Sequence, residues 1–226
     1  MKRINCFNDF LAALLEAGFS MVGSNDEGIF SLCSQFGENI VWHTENPETD
    51  PWEWRMRVLN ERNDIAYAKV FFNKSGYITK EWYPYFLAVR RNGEFFEDTY
   101  NNGILSNYAK RIYQLLEEHD SLPLHMLKQL GSISKEDKSK FDRALTELQM
   151  RMFITMCGSE QKTSIYGAEY GWFSTVFCRV ENFFDADVFQ KADSILPLDA
   201  YENIKEQIYK LNPNADIKKI MKFIKG

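Results

Sequence analysis

The sequence predicts an α+β fold: an N-terminal mixed α/β region with a β-hairpin, a winged helix-turn-helix unit, and a C-terminal helical tail. Three observations predict it. Two β-rich runs flank the turn-forming Asn73-Lys74-Ser75-Gly76. Three helical patterns over 104–150, the second and third of them capped, are followed by two strand-like runs. Residues 185–226 repeat their apolar positions at helical spacing.

Residues 5–19 place Phe7, Phe10, Leu11, Leu14 and Leu15 three and four apart, a helical stripe that Gly18 stops. Residues 28–33 are short and apolar, a strand or a buried helical turn. Residues 38–44 read as a strand, and 45–51 as a polar loop. Asp50 then caps a helix beginning at Pro51, whose missing amide costs nothing at that position. The hairpin takes 65–79, and a helix runs on to Arg91 with Pro84 tolerated in its first turn. Asn101-Asn102-Gly103 separates a first unit, 1–100, from a second, 104–184.

In that second unit Leu105, Tyr108, Ile112, Leu115 and Leu116 mark one helical face. A short helix runs to Gly131, and Ser134 caps a third with Phe141, Leu145 and Leu148 inward. Strand-like runs at 151–157 and 172–180 enclose a polar, turn-rich stretch, 158–171. Residues 185–226 form two or three helices with a break at Leu211-Asn212-Pro213-Asn214.

The 226 residues are 45% hydrophobic and 15% aromatic, enough to bury a real core. A net charge of −5 excludes a global basic field, so any polyanion contact needs a local patch. No stretch has the length and apolarity of a secretory signal or a membrane span, which points to a cytoplasmic protein without a membrane partner. Cys6, Cys33, Cys157 and Cys178 lie far apart and read as reduced thiols; the histidines lack metal-ligand spacing. No metal and no cofactor are expected.

A local patch does exist. From Arg55 to Arg91 eight Lys/Arg face three acids, a net of +5, whereas the first fifty residues carry two bases and eight acids. Cations neutralise phosphates, and rings nearby offer stacking faces. Arg55, Arg57, Lys69, Lys74, Tyr77, Lys80, Trp82, Arg90 and Arg91 are therefore the candidate nucleic-acid ligands. Trp52, Trp54 and Tyr67 are candidate walls of an aromatic pocket. The opposing account is that the rings are core and the cations pair with neighbouring acids. The third helix interleaves its own bases with acids and reads as a solvated face. GxSxG, P-loop and GxGxxG motifs are absent, and no candidate nucleophile has an evident base.

The runs Ala66-Tyr67-Ala68-Lys69-Val70-Phe71 and Gly76-Tyr77-Ile78-Thr79-Lys80-Glu81-Trp82-Tyr83-Pro84-Tyr85-Phe86, then Arg90-Arg91 and a winged helix, resemble a bacterial family described as AlkZ-related. Its better-known relatives are AlkZ-like winged-helix DNA glycosylases, which remove alkylated bases. The resemblance covers residues 50–184 and implies DNA as partner and repair as setting. Those enzymes carry a Gln-x-Gln or Gln-x-Asp motif that positions the attacking water. Here Gln35-Phe36-Gly37 is half of one, and Glu53 in Trp52-Glu53-Trp54-Arg55 is the candidate replacement carboxylate. The resemblance thus implies a nucleic-acid-binding glycosylase relative with altered or lost catalysis. The alternative is a non-enzymatic small-molecule or protein-interaction module with an aromatic pocket.

Overall fold

The computed structural model of the protein describes residues 2–163 and 168–226, apart from the side chains of Thr163 and Trp172. After helix α1 (Phe7–Ala17) the chain turns through Gly18, at φ 85°, into strand β1 (Phe19–Met21). A Cβ at Gly18 would stand 2.1 Å from the Trp82 indole, so that ring lies directly across the backbone. Helix α2 (Pro51–Glu61) follows, and then the hairpin of β2 (Ile65–Phe71) and β3 (Lys74–Thr79).

The hairpin turn is two residues long, with Phe71 opposite Lys74. Phe72 and Asn73 hold φ of 52° and 59°, the left-handed pair whose twist matches the flanking strands. The turn therefore comes earlier than the Asn73-Lys74-Ser75-Gly76 composition suggests. Gly76 lies inside β3 instead, where a Cβ would meet the Phe71 ring at 2.3 Å.

Helix α3 (Tyr83–Arg91) and α4 (Phe96–Asn101) lead to α5 (Asn107–Glu118), β4 (Ser121–Pro123), α6 (Leu124–Leu130), α7 (Lys138–Met150), β5 (Ile154–Thr163) and β6 (Glu169–Arg179). Among the described residues, six strands make one antiparallel sheet in the order β1-β3-β2-β5-β6-β4. Its joint is narrow. Tyr67 pairs with Met156, the Thr155 hydroxyl donates to the Tyr67 carbonyl at 3.3 Å, and beyond that the strands part. There the buried Gln149 side chain of α7 accepts the Lys69 amide at 3.0 Å, replacing the missing strand partner.

The hairpin is covered on both faces, which explains why β2 is buried almost throughout rather than alternating. Ile65 and Tyr67 belong to a core with Phe10 and Leu14 of α1 and Trp54 and Val58 of α2. Ala66, Ala68 and Val70 belong to another with Phe86 of α3 and the chain's last helices. Those follow α8 (Val180–Phe183) as α9 (Ala186–Ser194), α10 (Pro197–Leu211) and α11 (Ile217–Lys225). Phe223 of α11 stacks on Phe71 with centroids 3.8 Å apart. Only Lys69 in β2 is exposed.

Two expectations are corrected. Residues 38–44 form turns, not a strand, because the buried Asp50 carboxylate draws in the Thr44 and Glu45 amides at 2.7 and 3.1 Å. His43 and Glu45 are left with φ of 62° and 61°, incompatible with a strand. The acids Glu97 and Asp98 sit in the first turn of α4, where the helix dipole favours them. The stretch 158–171 is strand up to Thr163 and again from Glu169; its residues 164–167 lie outside the described residues.

Candidate functional site

Asp50 fixes the start of α2. Its carboxylate accepts the Trp52 amide at 2.8 Å as well as the two loop amides. Burial alone would raise its pKa, but these backbone donors outweigh burial and hold it below the ordinary carboxylate range. Helical phase then separates neighbours. Trp54 and Val58 point into the core at 0% exposure, while Trp52 stays 41% exposed. The Arg55 guanidinium lies 3.3 Å from the Trp52 ring centroid, and its Nε donates to the Trp52 carbonyl at 3.0 Å. The His43 ring approaches the same indole at 4.8 Å. The outward surface of α2 is thus a cation held on an aromatic plate.

This surface borders a cleft of about 850 Å³ between α2, the hairpin and the β5–β6 ribbon. Trp52, Glu53 and Arg55 line it from α2, Tyr67 and Lys69 from β2, and Met156 and Phe173 from the ribbon. Tyr67 packs against the buried Tyr77 with centroids 5.1 Å apart, and burial raises the Tyr77 hydroxyl well above its usual range. Phe173 is 69% exposed. Among the described residues the side chains of Arg55, Lys69 and Glu53 form no ion pair. Two unpaired cations, an unpaired carboxylate and several rings therefore share one open space. Glu45 adds a second acid to the lining, so charge there is balanced rather than strongly basic.

The other expected ligands are elsewhere. Arg57 bonds Glu61 and Glu48 at 2.7 and 2.8 Å and lies over the Phe7 ring. Lys74 pairs with Glu27, and Lys80 sits between Asp185 and Asp187. Arg90 gives its guanidinium to the Met150, Phe223 and Ile224 carbonyls, each at 2.8 Å. Burial lowers the Arg90 pKa, yet three carbonyl acceptors suit the charged form, and we take it as cationic. Arg91 pairs with Glu181 at 2.7 Å over the Phe153 ring. Trp54 and Tyr77 are core, and Trp82 packs across Gly18 against Phe19. Arg57 is held by acids near it in the chain, whereas Lys74, Lys80, Arg90 and Arg91 tie elements together because acids or carbonyls from distant parts of the chain reach them.

Phe173, Met156 and Glu45 were not singled out from the sequence. The signal for the first two was present in the strand alternation. Phe173, Thr175 and Phe177 share one face of β6, and Phe177 pairs across to Met156 and Tyr67. The third helix behaves as its interleaved charges suggest, with Lys140 paired to Asp137 and Arg151 to Glu147. Among the described residues no group of acids, histidines and cysteines could hold a metal, and no helix is long and apolar enough to cross a membrane.

No curated protein matches the chain, and neither does any solved structure. A protein-family model described as AlkZ related does match, over residues 4–225. With nearly its whole length so matched, the chain belongs to the AlkZ-related family.

Proposed function

We propose that the protein is a nucleic-acid-binding relative of the DNA-repair glycosylases and that the cleft beside α2 receives an unstacked base. The observation that carries this is the convergence of Trp52, Arg55, Tyr67, Lys69 and Phe173 on one open space. Arg55 and Lys69 neutralise phosphates flanking the base. The base stacks against Phe173 or on the Arg55 plane that covers Trp52, since a guanidinium offers the same flat face as a ring.

Residues 104–184 act as a winged helix in this reading. Their helix-strand-helix-helix-strand-strand order supports it, with β4 and β5 both paired to β6. The β5–β6 ribbon is the wing and contributes Phe173 to the cleft. If base excision occurs, Glu53 is the carboxylate standing where a water could be polarised toward the glycosidic carbon.

The test is direct binding at low salt to single-stranded, duplex and alkylated duplex DNA, followed by base release from the alkylated strand. Binding of at least one form is expected. No affinity for any of them ends the proposal, and base release unaffected by Glu53→Gln removes Glu53 from it. A second reading, a pocket for a small aromatic ligand, is favoured by the charge balance of the lining and by the internal pairing of Arg57, Lys80 and Arg91. It predicts binding that salt does not weaken.

A further inference from the structure

The ladder between β5 and β6 skips one residue. Met156 stands opposite Phe177 and Gly158 opposite Val176, which leaves Cys157 as the extra residue of a β-bulge. Cys178 lies one step along, opposite Thr155. Both cysteines face the same side, where they line an open cleft of about 840 Å³ with Arg62, Asp120 and Asn182. The two thiols are neighbours on that side, near enough that each shifts the proton affinity of the other. Cys178 is only 3% exposed, whereas Cys157 keeps part of its surface open to the cleft.

We propose that Cys157 and Cys178 form a peroxide-reactive thiol pair that closes into a disulfide across the base of the β5–β6 ribbon. Exposure assigns the roles, with Cys157 attacking and Cys178 resolving. The Cys157 sulfur attacks one oxygen of hydrogen peroxide and the O–O bond breaks. The departing hydroxide takes the thiol proton, leaving a sulfenic acid and one water. The Cys178 sulfur then attacks that of Cys157, the S–O bond breaks, and the hydroxyl leaves with the Cys178 proton as a second water. Two electrons have passed from the thiols to the peroxide.

The electrostatics agree with this division. The neighbouring Cys178 thiol lowers the Cys157 pKa against the effect of burial, while Cys157 and burial raise that of Cys178. Cys33 is the internal contrast. Its thiol donates to the Val22 carbonyl at 3.1 Å, and burial pushes its pKa up. It is expected to remain a thiol. Neighbouring strands bring side chains within the span that a disulfide bridges, and a bulge gives the backbone local freedom to close the remainder. Closure would stiffen the joint at Met156, the residue through which β5 pairs with β2.

The experiment treats the full chain with hydrogen peroxide, alkylates free thiols after denaturation without reductant, and maps peptides by mass. The expected product is two hydrogens lighter, carries a Cys157–Cys178 crosslink, and retains alkylatable Cys6 and Cys33. In Cys178→Ser the expected species is a sulfenic acid at Cys157, trapped by a carbon nucleophile; in Cys157→Ser, residue Cys178 stays a thiol. Four alkylatable thiols after treatment of the unsubstituted chain overturn the proposal. So does oxygen accumulating on Cys157 while Cys178 is alkylated, or a crosslink to another cysteine. None of these outcomes depends on nucleic acid, so the pair can fail while the cleft survives, and the reverse.

Discussion

Helix α2 offers Trp52 and Arg55 to an open cleft, whereas α3, with three rings to the two of α2 and likewise two arginines, keeps Arg90 and Arg91 inside the molecule. Both combine aromatic rings with two arginines, and that content alone does not say which cations are free. What differs is the cover. One side of α2 faces α1 and the hairpin and the other faces water. In contrast α3 is wrapped by α9, α10 and α11; carbonyls of α11 and of the end of α7 accept from Arg90, and the Met152 carbonyl and Glu181 carboxylate accept from Arg91. A cation near an aromatic ring is therefore a ligand for phosphate only where the fold leaves its remaining donors unclaimed.

The most damaging way to break this comparison is Arg90→Ala. It strips donors from three carbonyls, and each buried acceptor left bare is costly. A loss of roughly 3–5 kcal/mol is expected in urea unfolding, by analogy with removing one partner from a buried charged contact. Arg90→Lys should recover only part of it, because an ammonium cannot span three acceptors in the guanidinium plane. Unchanged stability in Arg90→Ala would return Arg90 to the list of free cations.

A comparison within α2 sharpens the point. Trp54→Ala empties a fully buried site and should cost roughly 3–5 kcal/mol. Trp52→Ala, two residues earlier, should cost about 1 kcal/mol or less in stability, but about 1–3 kcal/mol in affinity for single-stranded DNA. Denaturation and binding curves on both variants check this. Equal stability losses would mean that Trp52 is core and the cleft is not its reason for being exposed.

Local signals made much of the fold readable. The Asp50-Pro51 cap, the hairpin and the helix pattern of α5 each rest on residues within one or two turns of each other. The cleft was half readable. Trp52, Arg55, Tyr67 and Lys69 come from adjacent elements, but Phe173 arrives through a sheet register linking residues about a hundred positions apart. The fate of Arg90 was not readable at all, because its acceptors lie 60 to 134 residues away. Residues 38–44 misled for a related reason. Their β-prone side chains lost to a single buried carboxylate that gathers the loop amides.

That carboxylate makes the next prediction. Asp50→Asn should cost about 1–3 kcal/mol at neutral pH: its amide oxygen can still cap Trp52, but its NH2 group then faces the Thr44 and Glu45 amides, which lose their acceptor. The pH dependence carries a sign. The folded pKa of Asp50 is depressed, so its contribution is present above the unfolded value of about 3.9 and is lost as pH falls through the lower folded value. The native chain should thus lose stability below about pH 4, and Asp50→Asn should flatten that acid limb. An acid limb of the same steepness in both proteins would assign it to other carboxylates.

The smallest effect discriminates best between the cleft and the rest of the basic stretch. Each phosphate neutralised on duplex DNA contributes about −0.9 to the slope of log affinity against log salt. With Arg55 and Lys69 as the unpaired cations of the cleft, a slope near about −2 is expected from that site. Lys69→Ala should reduce it by about one, since the Lys69 side chain is exposed while its amide remains held by Gln149. Lys80→Ala should leave the slope unchanged, because Asp185 and Asp187 already neutralise that ammonium. The lysines are similar in charge and both lie in the basic stretch from Arg55 to Arg91, so composition predicts equal effects. A Lys80 variant that shifts the slope as far as the Lys69 variant would move the nucleic acid off the cleft, and the contrast between α2 and α3 would then describe stability alone.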